Sequence, residues 1–238
     1  MAYRTEICDC KERERGLSSF FMSAGRRYKA MRNTALFYIR NTMTGIRKSP
    51  EERTHNETEV LHYVFTGIQK ANAHKEEILR QKMADIHSCL ACGTSPMRFY
   101  GEIRKALKKA EPFRYPSEGK WFLNYVVLDA IFRMTDNPVY RSMPSQLAQN
   151  AVRETFASWQ SYFSLLSDWK ENPCKYKSKP RMPKYIKDPL ATAWWSNQSA
   201  KLVKTGKRCC WSSRKTPVTP GLPSMWERPD LPVSTGIL

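Results

Sequence analysis

The sequence predicts a mainly α protein: a helical domain over residues 1–172, a basic extended segment with a small β hairpin over 173–215, and a disordered C-terminal tail over 216–238. Three observations carry that expectation. Apolar residues recur with a helical period through the first part of the chain, and long stretches there lack proline. After Asn172 the prolines crowd in, at 173, 180, 183 and 189, and exclude helix. From Thr216 onward stand five more prolines with no apolar period, the composition of a chain that does not fold.

The segment from Lys11 to about Arg47 carries Phe20, Phe21, Met31, Leu36, Ile39 and Ile46 among many basic residues, and predicts the first helix. Ser49–Glu52 and Thr54–Glu57 both have capping-box spacing, an oxygen cap three residues before a Glu, so one of them starts a second helix. In that helix Val60, Leu61, Val64, Phe65, Ile68, Ala71, Leu79, Met83 and Ile86 share a face, and its end is expected near Ile86. A short basic helix is predicted over about Met97–Ala110, and another with a broad apolar face over Trp121–Met134, stopped by Asp136-Asn137-Pro138. The clearest helix has Pro144 in its first turn and a stripe of Leu147, Ala151, Val152, Phe156, Trp159, Phe163 and Leu166, ending at Asn172-Pro173. Thr205-Gly206 is placed to turn a hairpin between Ala200–Lys204 and Lys207–Trp211.

Hydrophobic residues make up 41% of the 238, which argues against wholesale disorder. The formal net charge of +18 calls for an anionic partner. Nucleic acid is the first candidate, because Lys and Arg release counterions from phosphates, and a membrane surface the second. No apolar run is long enough to span a bilayer, and the charged N-terminus has no signal-peptide core. Seven irregularly spaced cysteines fit reduced thiols, so a cytoplasmic location is expected.

Between Asn172 and Trp226 stand twelve Lys or Arg and one acidic residue, Asp188. Within that region Lys175, Lys177, Lys179, Arg181, Lys184 and Lys187 interleave with Tyr176 and Tyr185 on a backbone held extended by Pro180 and Pro183. Cations so spaced can follow a phosphate ladder, and tyrosines can stack on bases. The competing reading is a solvated basic linker. Arg26, Arg27, Arg32 and Arg40 on the first helix, and Lys105 and Lys108 on the short one, extend the candidate set; for each, a solvated helix face is the alternative. Cys8-Asp9-Cys10 with Cys89 and Cys92 offers four thiolates to zinc, against free thiols as the plainer reading. Phosphate-loop, nucleophile-elbow and H-E-x-x-H signatures are missing, and no cofactor is expected.

Met143-Pro144-Ser145-Gln146, then Trp159-Gln160-Ser161-Tyr162-Phe163, Asn172-Pro173 and Lys179-Pro180-Arg181-Met182-Pro183-Lys184-Tyr185 form a distinctive series. It resembles the TnpB (OrfB) family, RNA-guided nucleases of bacterial insertion sequences long called transposases. Tyr28–Asn33, Ile39–Thr42 and Ala193–Leu202 also look like a branch of it, so the likeness covers about residues 20–216. It implies a helical recognition domain plus part of a β-barrel wedge, which together hold guide RNA and the guide–target duplex through shape and phosphates. Family members continue into an RNase H-like domain with three metal-binding carboxylates, and this chain departs there. No "IDxG" strand follows residue 190, and Asp188 and Asp230 lie beside prolines. The resemblance gives Cys89 and Cys92 no metal. The expectation is a non-catalytic fragment, truncated before the nuclease domain, that binds structured RNA and DNA, with no membrane partner and the nuclease domain encoded separately. The competing readings are a helix-turn-helix repressor or transposase accessory, using about Arg104–Met134, and an inert remnant.

Overall fold

Capping decides where the helices begin. The structure is a computed structural model, and it describes residues 15–93, 97, 99–120, 123–193, 200–205 and 208–213. Helix α1 spans Arg15–Gly45 and α2 spans His55–Ala91. Of the two capping boxes, Thr54 starts α2: its side chain accepts from the Glu57 N–H at 3.3 Å, and Glu57 Oε2 accepts from the Thr54 N–H at 2.9 Å. The box at Ser49 instead opens a single 3-10 turn, Pro50–Glu52. Helix α2 outruns the expected end by five residues, and Gly93 then takes φ +83°.

Helix α3 is Tyr100–Ala110 and α4 is Tyr125–Met134. The second starts four residues later than expected because Asn124 accepts the Val127 N–H at 2.9 Å and so caps it. Asp136, at φ +50°, ends the run. The sequence read Asn137-Pro138 as a stop alone. It also restarts the chain as α5, Pro138–Arg141: Asn137 Oδ1 accepts from Val139 and Tyr140, and Pro138 takes the first helical position. Helix α6 runs Ser145–Glu171, with Pro144 as the cap residue itself.

The protein is mainly helical. Helix α1 lies against α2, α5 and α6, while α2 continues on to pack against α4 and α3. Trp159, Tyr28, Phe132, Met31, Ile39, Ile68, Leu128, Ile131 and Leu147 are fully buried where these helices meet. Much of the predicted α6 stripe is therefore core, but Phe156, Phe163 and Leu166 stay half-exposed, and so does Leu79 on α2; Phe21 and Phe65 are exposed. Gly67 sets the α2–α4 spacing, since a Cβ there would stand 2.6 Å from Ile131 Cγ2.

The chain divides into two units between residues 194 and 195. In the second, strand β1 (Ala200–Thr205) pairs antiparallel with β2 (Arg208–Ser213), from Ala200 opposite Ser213 to Thr205 opposite Arg208. Gly206 at the expected turn, the predicted tail over 216–238, and Cys8 and Cys10 all lie outside the described residues. Among the described residues no helix is long and apolar enough to cross a membrane.

Candidate nucleic-acid interface

The basic segment after α6 is fastened to the helices at both ends. At its start, Asp168 on the last turns of α6 gathers three donors. Lys175 Nζ lies 2.8 Å from Oδ2, the Tyr176 hydroxyl bonds the same oxygen, and the Asn172 amide reaches Oδ1. These hydrogen bonds, that of Lys175 foremost, hold the Asp168 carboxyl down at about 2, and Asp168 in turn raises the Lys175 ammonium. Lys179 then sits 5.6 Å from the Trp169 ring centre, a cation–π distance.

Further on, the segment runs antiparallel to α1. The Asn33 side chain clamps Ile186: its Nδ2 donates to the Ile186 carbonyl at 3.2 Å, and its Oδ1 accepts from the Ile186 N–H at 2.9 Å. An amide side chain thus supplies the donor and acceptor that a neighbouring strand would. Lys29 Nζ donates to the Lys187 carbonyl at 3.2 Å, and the Ala191 N–H to the Gly25 carbonyl at 3.3 Å. That last approach suits a glycine, because a Cβ on Gly25 would stand 3.1 Å from the Ala191 oxygen. Arg40 lies 5.4 Å from the centre of the Tyr185 ring, so a cation covers that tyrosine. From Arg40 to Gly25 is fifteen residues of helix, roughly 22 Å of docking track.

The candidate residues separate by this geometry. Lys177, Arg181, Lys184 and Lys187 have exposed side chains and, among the described residues, no carboxylate within salt-bridge distance. Arg40 borders them through Tyr185, and Arg26 is exposed beside the Gly25 contact. Two residues of the same set turn inward. Arg27 Nη1 donates to the Ser142 carbonyl at 2.7 Å, joining α1 to the end of α5. Arg32 pairs with Glu154 of α6 at 3.2 Å, next to buried Tyr28, whose hydroxyl pKa is pushed upward by burial and by that same carboxylate. Lys175 is tied to Asp168.

Lys105 and Lys108 are exposed on α3, but α3 packs on the far part of α2. Tyr63 of α2 meets Tyr38 of α1, whereas Lys82 pairs with Glu102 of α3 at 3.4 Å. Those two α2 positions are nineteen residues apart, roughly 28 Å along the axis. The α3 cations are therefore a separate patch. The α3–α4 pair does not have helix-turn-helix form either: residues 111–124 separate the two helices, where that motif uses a turn of three or four.

Between the end of α1, the last half of α6 and the extended segment lies a groove of about 320 Å³. Met43, Tyr162, Phe163, Leu166 and Met182 wall it, and Arg47 and Lys170 stand at it. Phe163 and Leu166 belong to the apolar stripe predicted for α6, and here they face the groove. No sequence signal marks Asn33, since an amide that binds backbone 153 residues away leaves no local pattern. Cys89 and Cys92 are exposed free thiols, and among the described residues no cluster of three or more His, Cys, Asp or Glu side chains is placed to hold a metal ion. No protein family, curated protein or solved structure matches the chain.

Proposed function

We propose that this protein holds a nucleic-acid backbone, structured RNA or an RNA–DNA duplex, along the basic segment and the α1 surface beside it, and that it carries no catalytic centre of its own. The observation behind this reading is the docked cation row. Lys177, Arg181, Lys184 and Lys187 lie on a segment fastened through Asp168 and Asn33, with no acidic partner among the described residues, in a chain of net charge +18. A solvated linker would need no clamp. The resemblance to the TnpB family points the same way and adds a finer expectation, that the β1–β2 hairpin belongs to a partial wedge and that nuclease carboxylates come from elsewhere.

Arg181→Ala/Lys184→Ala tests the reading, because both side chains are exposed and, among the described residues, neither pairs with a carboxylate. Each phosphate contact contributes about 0.7–0.9 to the slope of log affinity against log salt, so the double variant should flatten that slope by about 1.4–1.8. It should weaken all sequences alike. Lys108→Ala, on the separate patch, should leave the slope unchanged. Nucleic-acid binding with an unaltered slope in the double variant would reduce the segment to a linker.

A further inference from the structure

The groove beside the cation row has the chemistry of a base-binding site. Its walls are two aromatic rings and three flexible apolar side chains: Tyr162, Phe163, Met43, Leu166 and Met182. The rings are held rather than loose. Phe163 stacks at 5.6 Å on Trp159, which is fully buried, and Tyr162 meets the same indole edge-on at 5.7 Å. Two cations and one hydroxyl, Arg47, Lys170 and Ser167, complete the lining, and no carboxylate does. An apolar peptide side chain would have no use for that charge. A flat aromatic group joined to an anion uses all of it.

The extended segment supplies the link to a polymer. Met182 forms part of the groove, while Arg181 and Lys184, which flank it closely in sequence, are exposed. A backbone whose phosphates meet those two cations passes the mouth of the groove with a base beside it. Resting on the nucleic-acid reading above, we propose that this groove takes one unstacked base of a single-stranded stretch, stacked against Tyr162 and Phe163 and covered by Met182. Such a site tolerates any base, because every base has a π face. It would mark a place where the bound polymer leaves its helix.

The test compares two twelve-nucleotide single strands of equal charge binding to the full chain, one of uridines and one of abasic residues. The wild-type protein should prefer the uridine strand by about 5- to 150-fold, the range that stacking on one ring gives. Two variants on exposed residues change the groove without touching the core: Met182→Ala removes a wall, and Ser167→Trp fills the space. Both should lose most of the uridine preference, keep their affinity for the abasic strand, and keep the wild-type salt slope. Irradiation of a 4-thiouridine strand should also crosslink to the peptides holding Tyr162, Phe163 or Met182. Equal wild-type affinity for the two strands would overturn the base site while leaving the backbone reading intact. A uridine preference that survives in both variants would do the same, placing the base elsewhere. Binding of neither strand by the wild type, at low salt, would overturn the base site, and failure to bind an RNA–DNA duplex as well would overturn the backbone reading.

Discussion

Asn33→Ala should free the basic segment from α1 without unfolding the protein. The substitution removes both hydrogen bonds to Ile186, at 2.9 and 3.2 Å. Bonds of this kind contribute about 0.5–1.5 kcal/mol each, so docking should weaken by about 1–3 kcal/mol. What remains there, among the described residues, is one backbone bond at Gly25, the exposed Lys29 contact and the Arg40 contact with the Tyr185 ring. Between 176 and 193 no residue is fully buried, so the segment adds little to the core, and the global unfolding midpoint should hardly move. Amide exchange followed by NMR reads the local change directly. Protection at Ile186 should fall about 5- to 150-fold, and trypsin should cut faster after Lys184. Asn72→Ala is the matched control, because Asn72 makes the same double contact with Phe113 and should expose that residue instead. Nucleic-acid affinity should drop by no more than the lost docking energy, with the salt slope kept, since every cation is still present. Unchanged protection at Ile186 would refute the clamp, and with it the argument that the cation row is pre-organised.

Two further substitutions probe the helical framework. Gly67→Ala gains about 0.8–1.0 kcal/mol of helix propensity but drives a methyl to 2.6 Å from Ile131 Cγ2, with Cβ and Cγ1 both at 3.2 Å. Overpacking costs about 1–3 kcal/mol, so urea unfolding should show a net loss of up to about 2 kcal/mol; a more stable variant would mean that α2 and α4 are not this close. Burial of Glu57 raises its pKa, but hydrogen bonds from Thr44, Lys48 and Thr54 outweigh this and hold the carboxyl at about 2, below its ordinary 4.5. Its stabilisation, about 3 kcal/mol, is therefore present above pH 4.5 and lost as pH falls toward 2. Glu57→Gln keeps the capping spacing and should remove that share of the acid sensitivity; parallel stability curves for the two proteins between pH 5 and 2 would contradict the assignment.

The helices were legible because their signals are local. The Thr54 box, most of the α2 stripe and the prolines after Asn172 each act within a few residues and stand where the pattern put them, although Phe65 is exposed and Leu79 and Met83 are half-exposed. Boundaries slipped where a single side chain intervened, as when Asn124 delayed α4 or Asn137 opened α5 directly behind a break. Long-range docking left no such trace. Asn33 and Asn72 belong to no cap or apolar period that would mark them in the sequence. Their partners, Ile186 and Phe113, lie in extended segments that offer backbone rather than a side-chain motif. Lys75 adds to the second clamp, donating to the Glu111 carbonyl at 2.7 Å and lying over the Phe113 ring, much as Lys29 adds to the first. In both places the positive charge of a helix lysine serves a peptide carbonyl inside the molecule.

That use of charge limits what a net +18 can mean for binding. Arg27, Arg32, Lys29, Lys48 and Lys175 answer carbonyls or carboxylates of the protein itself, so counting them toward a polyanion would count them twice. Lys105 and Lys108 stand roughly 28 Å along α2 from the α1 contact, beyond the reach of a ligand confined to the segment. Among the described residues, the cations left along the segment and the α1 surface beside it are Arg26, Arg40, Lys177, Arg181, Lys184 and Lys187, with Lys170 at the groove and Lys179 shared by Trp169. At one phosphate each, the six groups along the track release counterions to a slope of about −4 to −5, and Lys170 at the groove would add about 0.7–0.9. A clearly steeper slope would require further cations, such as the α3 patch, to join the same ligand. The salt dependence therefore measures length as well as affinity: about −5 describes a strand held along the segment, and a clearly steeper value describes a longer ligand that reaches further cations.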